Sequence, residues 1–374
     1  MHIAIDATIL NRENTGTGFY IINLISGLRK IDDKNNQYYI FVKKDLVGDV
    51  LEITGDNFHV INVDFQPRFF RVVWQFLIFP FTLRRFRIDV LHSPNYITPL
   101  FKLGFKIIVT IHDLTFCLMP NKYTVTKRLF YKSLVPMFMK IADKVISVSE
   151  NTKKDIITLF KIREDKIYVT YESYPEYYTQ SYDSEKIRNT LSKYGIEKKF
   201  ILFVGMIEPR KNVLSLLKAF YLIDDEIDMD LVIVGKKGWY YKDVEDFFKF
   251  AQEENLKNKI KITGYVSEPD LKYFYQGASV FAYPSYYEGF GLPPLQAIAC
   301  GTPVITSNAS SLPEVVDGAA IKINPSNIQD LADAIKEIIS NTKLRNKMKE
   351  KGIRQAFKFS LKNFAANTIK VYEN

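Results

Sequence analysis

Four groups of polar residues in this chain stand where a β-rich run ends, and each offers a chemistry. Arg210 and Lys211, in Glu208-Pro209-Arg210-Lys211-Asn212, follow the apolar run Phe200–Gly205. They precede a helical pattern through Phe220, with Asn212 at its N-cap position. Two cations there oppose the positive end of a helix by a few tenths to about 1 kcal/mol, and a bound anion reverses that sign. An arginine fork beside a lysine point charge suits a diphosphate, and losing one donor to developing charge raises a barrier by about 3–4 kcal/mol. Glu288-Gly289-Phe290-Gly291 follows the strand Ser279–Tyr283 and opens a short helix, with Pro293 or Pro294 in its first turn and Gly301 after its end. The glycines let backbone approach a ligand at a positive helix end. An acid beside that end can accept from sugar hydroxyls in a site otherwise built for phosphate.

The other two groups lie in the first half. His112 and Asp113 break the run Lys106–Ile111 where it emerges. A histidine there either bonds a neighbouring strand or works at a site, with Asp113 beside it. His92, ending Asp89–His92, is a further candidate. Gly16 and Gly18 lie in the loop Asn14–Gly18 between the first strand and a helix from Phe19 through Leu28. Glycines before a helix admit phosphate to backbone amides. The third glycine of a dinucleotide fingerprint would fall at Ile21, which argues against a nicotinamide cofactor.

The elements that must position these groups alternate. His2–Asp6, Tyr38–Val42, Phe58–Ile61, Asp89–His92, Lys106–Ile111 and Lys144–Val148 read as strands with helices between. That order implies a parallel sheet wound on both faces. The pattern loosens from Tyr171 to Lys198, and a second series starts at Phe200 and continues with Leu231–Gly235, Ile260–Thr263, Ser279–Tyr283 and Pro303–Thr306. The expected architecture is α/β, with a first Rossmann-like domain over 1–178 and a second over 196–357. Open parallel sheets bind ligands beyond the carboxyl ends of their strands. All four groups fall at such ends, and they would line one cleft if the sheets face each other. Asp228-Met229-Asp230 resembles a cation-holding acidic triplet but precedes its strand, at the wrong end, so no metal is assigned.

A chain of 374 residues exceeds one ordinary core, and 47% hydrophobic with 25% charged residues is a globular composition. Cys117 and Cys300 sit apart in apolar segments without metal-ligand spacing, which favours reduced thiols. The N-terminus reads as a core strand rather than a secretion signal. The most apolar stretch, Val72–Leu83, is shorter than the roughly 20 residues that span a bilayer. The net charge of +9 concentrates between Phe65 and Lys140, where twelve basic residues face only Asp89 and Asp113 and interleave with phenylalanines. Two readings stay open, a solvated basic face and a surface for anionic lipid headgroups. Nucleic acid is not expected, because no binding module accompanies the charge.

The run Tyr283 to Ile305, continuing through Ser310-Ser311-Leu312-Pro313-Glu314-Val315, resembles the signature of retaining family-4 glycosyltransferases, which have the GT-B fold. Their pattern is a Glu, seven residues, and a second Glu; here these positions hold Glu288 and Gln296. The resemblance implies that Glu288 contacts donor-sugar hydroxyls and that position 296 holds the ribose. It implies that Arg210 and Lys211 bind the nucleotide diphosphate, and that Gly289, Phe290, Gly291 and Leu292 contribute to the donor site. Gly16 and Gly18 would approach the donor phosphates, His112 the donor sugar, and a last helix near 358–374 would return to the first domain. Attack on the front face is implied, with the departing phosphate taking the acceptor proton, and no metal or cofactor. The variant Glu208–Asn212 resembles mannosyltransferases of surface-polysaccharide assembly, so GDP-mannose leads and UDP-hexoses follow. The acceptor would be a glycan or lipid-linked, with Asp113 orienting its hydroxyls and His92 a further acceptor-side candidate, and the enzyme cytoplasmic, at the inner face of the membrane for a lipid-linked acceptor. A carboxamide at Gln296 loses charge assistance to ribose, worth roughly 1 kcal/mol. The alternative is a weakened nucleotide-sugar-binding or scaffold subunit.

Overall fold

The computed structural model describes residues 1–11, 16–31, 35–44, 55–64, 70–119, 125–238, 242–253 and 256–374. Asn14 and Thr15 of the glycine loop lie outside the described residues, as do Phe65, Arg68, Phe69, Lys122 and the side chain of Lys127 in the basic stretch. The chain divides into two compact units, Met1–Ser173 with Ser360–Asn374, and Tyr174–Phe359.

The first unit holds a sheet of β1 (His2–Asp6), β2 (Gln37–Lys43), β3 (Phe58–Val63), β4 (Val90–Ser93), β5 (Lys106–Ile111), β6 (Lys144–Ser147) and β7 (Ile167–Val169). Their spatial order is β3-β2-β1-β4-β5-β6-β7, with every neighbour parallel. The second unit repeats the plan with β8 (Phe200–Val204), β9 (Asp230–Val234), β10 (Ile260–Gly264), β11 (Val280–Tyr283), β12 (Val304–Ser307) and β13 (Ala320–Ile323). Here the order is β10-β9-β8-β11-β12-β13, again parallel throughout. Strands such as Phe200-Ile201-Leu202-Phe203-Val204 are buried along their whole length, as a parallel sheet covered on both faces requires. Each sheet reverses its winding once, between β1 and β4 and between β8 and β11. A crevice opens beyond the strand ends at such a point.

Three expectations need correction. The first helix runs Gly16–Ile31, so Gly16 and Gly18 are in its first turn rather than in a loop. The buried stripe Tyr20, Ile21, Leu24, Ile25 and Leu28 extends back to Gly18, and packing overrides the poor helix propensity of glycine. The first unit ends at Ser173 rather than at 178, because the hydroxyls of Tyr177 and Tyr178 both donate to Glu268 of the second unit, at 2.8 and 2.7 Å. Asn212 does not cap the helix Val213–Ile223. It takes a left-handed conformation, and its Nδ2 donates to the carbonyls of Pro284 (3.1 Å) and Pro325 (2.7 Å).

The helix Leu361–Glu373 packs within the first unit. Ser360 caps it by accepting from the Asn363 amide. A Cβ at Gly27 of the first helix would stand 2.7 Å from the Leu361 carbonyl and 2.9 Å from Ala365 Cβ, so only glycine allows this approach. Among the described residues no helix is long and apolar enough to cross a membrane.

Candidate functional site

The winding reversal of the second sheet carries the strongest constellation. After β8 the chain turns at Gly205 (φ +149°), then forms a short turn over Pro209–Lys211. Lys211 folds back over Gly205, where a Cβ would meet its Cδ at 3.0 Å. After β11 the chain passes Pro284 and Ser285 to Glu288. Arg210, Lys211 and Glu288 therefore arrive from the two strands that flank the reversal, and they converge. Arg210 Nη1 lies 2.5 Å from Glu288 Oε2 and 2.8 Å from the Tyr287 carbonyl, while its Nε and Nη2 reach Glu208 Oε1 at 3.0 and 2.6 Å. Lys211 Nζ is 3.5 Å from Glu288 Oε1 and donates to the Tyr283 hydroxyl at 2.5 Å. Tyr283 and Ser285 hydroxyls donate to Glu288 Oε1 at 2.8 and 2.9 Å.

All three charged side chains are largely buried. Burial alone would raise the Glu288 carboxyl, but the charges of Arg210 and then Lys211 outweigh it and bring it down to about 2. Burial lowers the Lys211 ammonium, and Glu288 offsets part of that. The cluster holds two cations, Arg210 and Lys211, and two carboxylates, Glu208 and Glu288, largely buried. An anion entering it would compete with Glu208 and Glu288 for the arginine fork and release carboxylate oxygens to other donors.

The loop that presents Glu288 is pinned by serines. Its amide donates to Ser310 Oγ (2.9 Å), and Ser311 Oγ donates to the carbonyls of Glu288 (2.8 Å) and Phe290 (2.6 Å). Gly291 (φ +119°) precedes the helix Leu292–Ala299, and Leu312 fills the place of its missing Cβ. Both Pro293 and Pro294 fall in the first turn and lack amide hydrogens, which leaves Leu292 and the loop before it to supply donors. Phe290 is buried, its ring packed against Phe359 with centroids 5.7 Å apart. Gln296 is 5% exposed, and its Oε1 accepts from the Tyr275 hydroxyl at 3.1 Å. It keeps an amide nitrogen to donate and a second lone pair on Oε1 to accept.

The first-unit candidates divide. His112 leaves β5 as expected, but both its ring nitrogens are engaged. Nδ1 is 3.0 Å from Glu172 Oε1 and Nε2 is 2.9 Å from the Pro94 carbonyl. A carbonyl only accepts, so Nε2 carries a proton. Burial would lower this imidazole, and Glu172 outweighs it, so its pKa is raised. Asp113 Oδ1 accepts from the Thr115 amide (3.0 Å) and hydroxyl (2.7 Å), shaping the turn into the helix Thr115–Leu118. His92 is a correction: it is 0% exposed, with Nδ1 2.7 Å from the Tyr372 hydroxyl and Nε2 2.8 Å from Thr110 Oγ1. It fastens the last helix to the sheet and cannot touch an acceptor there. At Gly16 a Cβ would meet nothing within 4 Å. Asp228 and Asp230 lie at the amino end of β9, paired with Lys198 (3.3 Å) and Lys261 (3.2 Å).

The sequence reading missed Glu208, Tyr283, Ser285 and Glu172. Each is an ordinary polar residue until the fold brings its partner. The signal available was position, since each sits beside a strand exit.

Comparison with known proteins bears on the family and the fold. Residues 183–355 match the model for glycosyl transferases group 1, and residues 15–173 the model for glycosyltransferase family 4. The chain is 31% identical to O-antigen chain mannosyltransferase B of Escherichia coli over 78% of its own length and 76% of that protein. It is 29% identical to a serotype-specific mannosyltransferase of Escherichia coli over 73% of this chain, but spans only 34% of that relative. The sucrose-phosphate synthase of Thermosynechococcus elongatus superposes with a TM-score of 0.77 at 19% identity, covering 100% of this chain and 98% of the other.

Proposed function

Because the chain belongs to glycosyltransferase family 4, we propose that it moves a hexose from a nucleotide-sugar donor to a glycan or lipid-linked acceptor in surface-polysaccharide assembly. Mannose from GDP-mannose is the leading donor, since two relatives that match over 78% and 88% of this chain are named as O-antigen chain mannosyltransferases. UDP-hexoses come second.

The observation that carries the proposal is the buried Arg210–Lys211–Glu288 cluster at the winding reversal of the second sheet. The diphosphate takes the arginine fork and the lysine, Glu288 accepts from sugar hydroxyls, and the Gln296 amide donates to ribose. The bond from the anomeric carbon to phosphate oxygen breaks, and the bond to the acceptor oxygen forms on the same face. The acceptor proton passes to the departing diphosphate, and the configuration is retained. Arg210 and Lys211 supply the positive charge at the leaving group, so the reaction needs no divalent cation and should proceed unchanged in chelator. The first unit receives the acceptor, with His112 held at the β5 exit by Glu172 and the Pro94 carbonyl. The free thiols of Cys117 and Cys300 fit a reducing cytoplasm, at the inner membrane face for a lipid-linked acceptor.

Release of nucleoside diphosphate from GDP-mannose and UDP-hexoses tests the reading. Glu288→Ala should lower turnover by about a hundredfold or more, with an unchanged circular dichroism spectrum. Near-normal turnover by that variant would refute the assignment. A wild-type chain that binds donors yet releases no diphosphate would instead identify a scaffold subunit.

A further inference from the structure

We propose that Glu208 is a positioning residue for the diphosphate: it keeps its hold on Arg210 while the anion takes the place of Glu288, and so aims the guanidinium at the leaving group. This role rests on the nucleotide-sugar reading above and divides the work between the two carboxylates of the cluster.

A guanidinium offers an acceptor two edges, one made by Nε with a terminal nitrogen and one made by both terminal nitrogens. Glu208 takes the first edge. Its Oε1 receives Nε at 3.0 Å and Nη2 at 2.6 Å. Glu288 Oε2 meets the other side through Nη1 at 2.5 Å, and the same nitrogen donates to the Tyr287 carbonyl at 2.8 Å.

The two carboxylates differ in what each retains once arginine lets go. Glu288 keeps Oε1 bonded to the hydroxyls of Tyr283 and Ser285 and 3.5 Å from Lys211 Nζ, so losing Arg210 releases only Oε2. Among the described residues the Glu208 carboxylate has Arg210 as its one hydrogen-bonding partner. Its side chain is 3% exposed, against 11% for Glu288. Breaking the Glu208 pair would leave a buried charge uncompensated, which is the costly way to open an ion pair. The entering anion therefore displaces Glu288.

The backbone around both residues is already fixed. The Ile207 amide donates to the Lys236 carbonyl and the Ile207 carbonyl accepts from the Gly238 amide, both at 3.0 Å. Pro209 follows Glu208 with its φ locked by the ring. The Arg210 carbonyl accepts from the Tyr286 amide at 2.9 Å and the Ser285 hydroxyl at 3.1 Å. What is left to place is the far end of the arginine, and Glu208 places it. Without that anchor the side chain would give up its rotamer freedom at each binding event.

Isothermal titration of the full chain with GDP and with UDP tests this, because charge and positioning predict opposite signs at Glu208. If charge alone counted, removing either carboxylate would strengthen anion binding. Glu288→Gln should follow that rule and tighten the nucleoside diphosphate by about threefold or more. Glu208→Ala should break it and weaken binding by about tenfold. Glu208→Gln keeps an acceptor oxygen and should weaken binding by about threefold; it decides the sign if Glu208→Ala does not fold. With Arg210→Ala already present, Glu208→Ala should weaken binding no further. Affinity is read per folded site, so a destabilised fold lowers the fitted stoichiometry and leaves these signs unmoved. Tighter binding by the Glu208 variants, or equal weakening with and without Arg210, overturns the positioning role and leaves the nucleotide-sugar reading standing. A wild-type chain that binds neither nucleotide overturns both.

Discussion

Glu288 is held by Arg210, Lys211, Tyr283 and Ser285 together, and this arrangement makes single-residue predictions sharp. Arg210→Lys keeps a charge but loses the fork that joins Glu208, the Tyr287 carbonyl and Glu288, so it should behave as a loss of function. Diphosphate release should fall by a factor of about 10²–10³, and recovery of more than half the wild-type rate would contradict the assignment. The two buried histidines predict opposite limbs of a stability profile. His112 has a folded pKa raised above its unfolded value near 6.5, so its contribution is complete below that value and is lost as pH rises through the folded one. His92 is pushed down to about 3 by burial and then by the charge of His112, so its contribution is present above about 6.5 and fades as pH falls towards 3. Melting temperatures across pH should show His112→Gln flattening the alkaline limb and His92→Asn flattening the acid limb. At this scale the sequence told which residue types stand at strand exits, and Arg210, Lys211 and Glu288 could be named from that. It could not tell His92 from His112. Both end a strand in sequence, and only the last helix, some 280 residues later, shows that Tyr372 closes over His92.

Among the elements, strands were legible because buried parallel strands are runs of Val, Ile, Leu and Phe bounded by Gly and Pro. Helix ends were less so. Asn212 looks like a cap by type, yet its side chain is drawn away by carbonyls at Pro284 and Pro325, which sequence spacing cannot place. Gly16 and Gly18 look like a loop by propensity and are helical by packing. Gly27 attracted no notice, although it sets how near the last helix approaches. Gly27→Val should force the two helices apart and cost about 1–3 kcal/mol, measured by urea denaturation. Gly16→Ala, with open space where its Cβ would stand, should leave stability unchanged or slightly higher.

For the whole molecule, the two-sheet plan follows from strand alternation and needs no motif, whereas the border at Ser173 depends on the Tyr177 and Tyr178 bonds to Glu268. Glu268→Ala should loosen the segment Tyr174–Gln180 and raise its amide hydrogen exchange while leaving exchange in β8 unchanged. Removing Ser360–Asn374 should strip His92 of Tyr372, Lys144 of its bond to the Val371 carbonyl and Tyr20 of its ring contact with Phe364. Hydrogen exchange should then quicken through the first sheet and not through the second.

The first unit is assembled from two stretches of chain with the whole of the second unit between them. On a ribosome adding about 5–20 residues per second, the early sheet waits some 10–40 s for the helix that covers His92. During that interval the second unit, continuous in sequence, can finish while its predecessor still lacks its final piece. Synthesis order and completion order are therefore reversed in this protein, and the nascent chain carries an open flank that a chaperone is suited to shield.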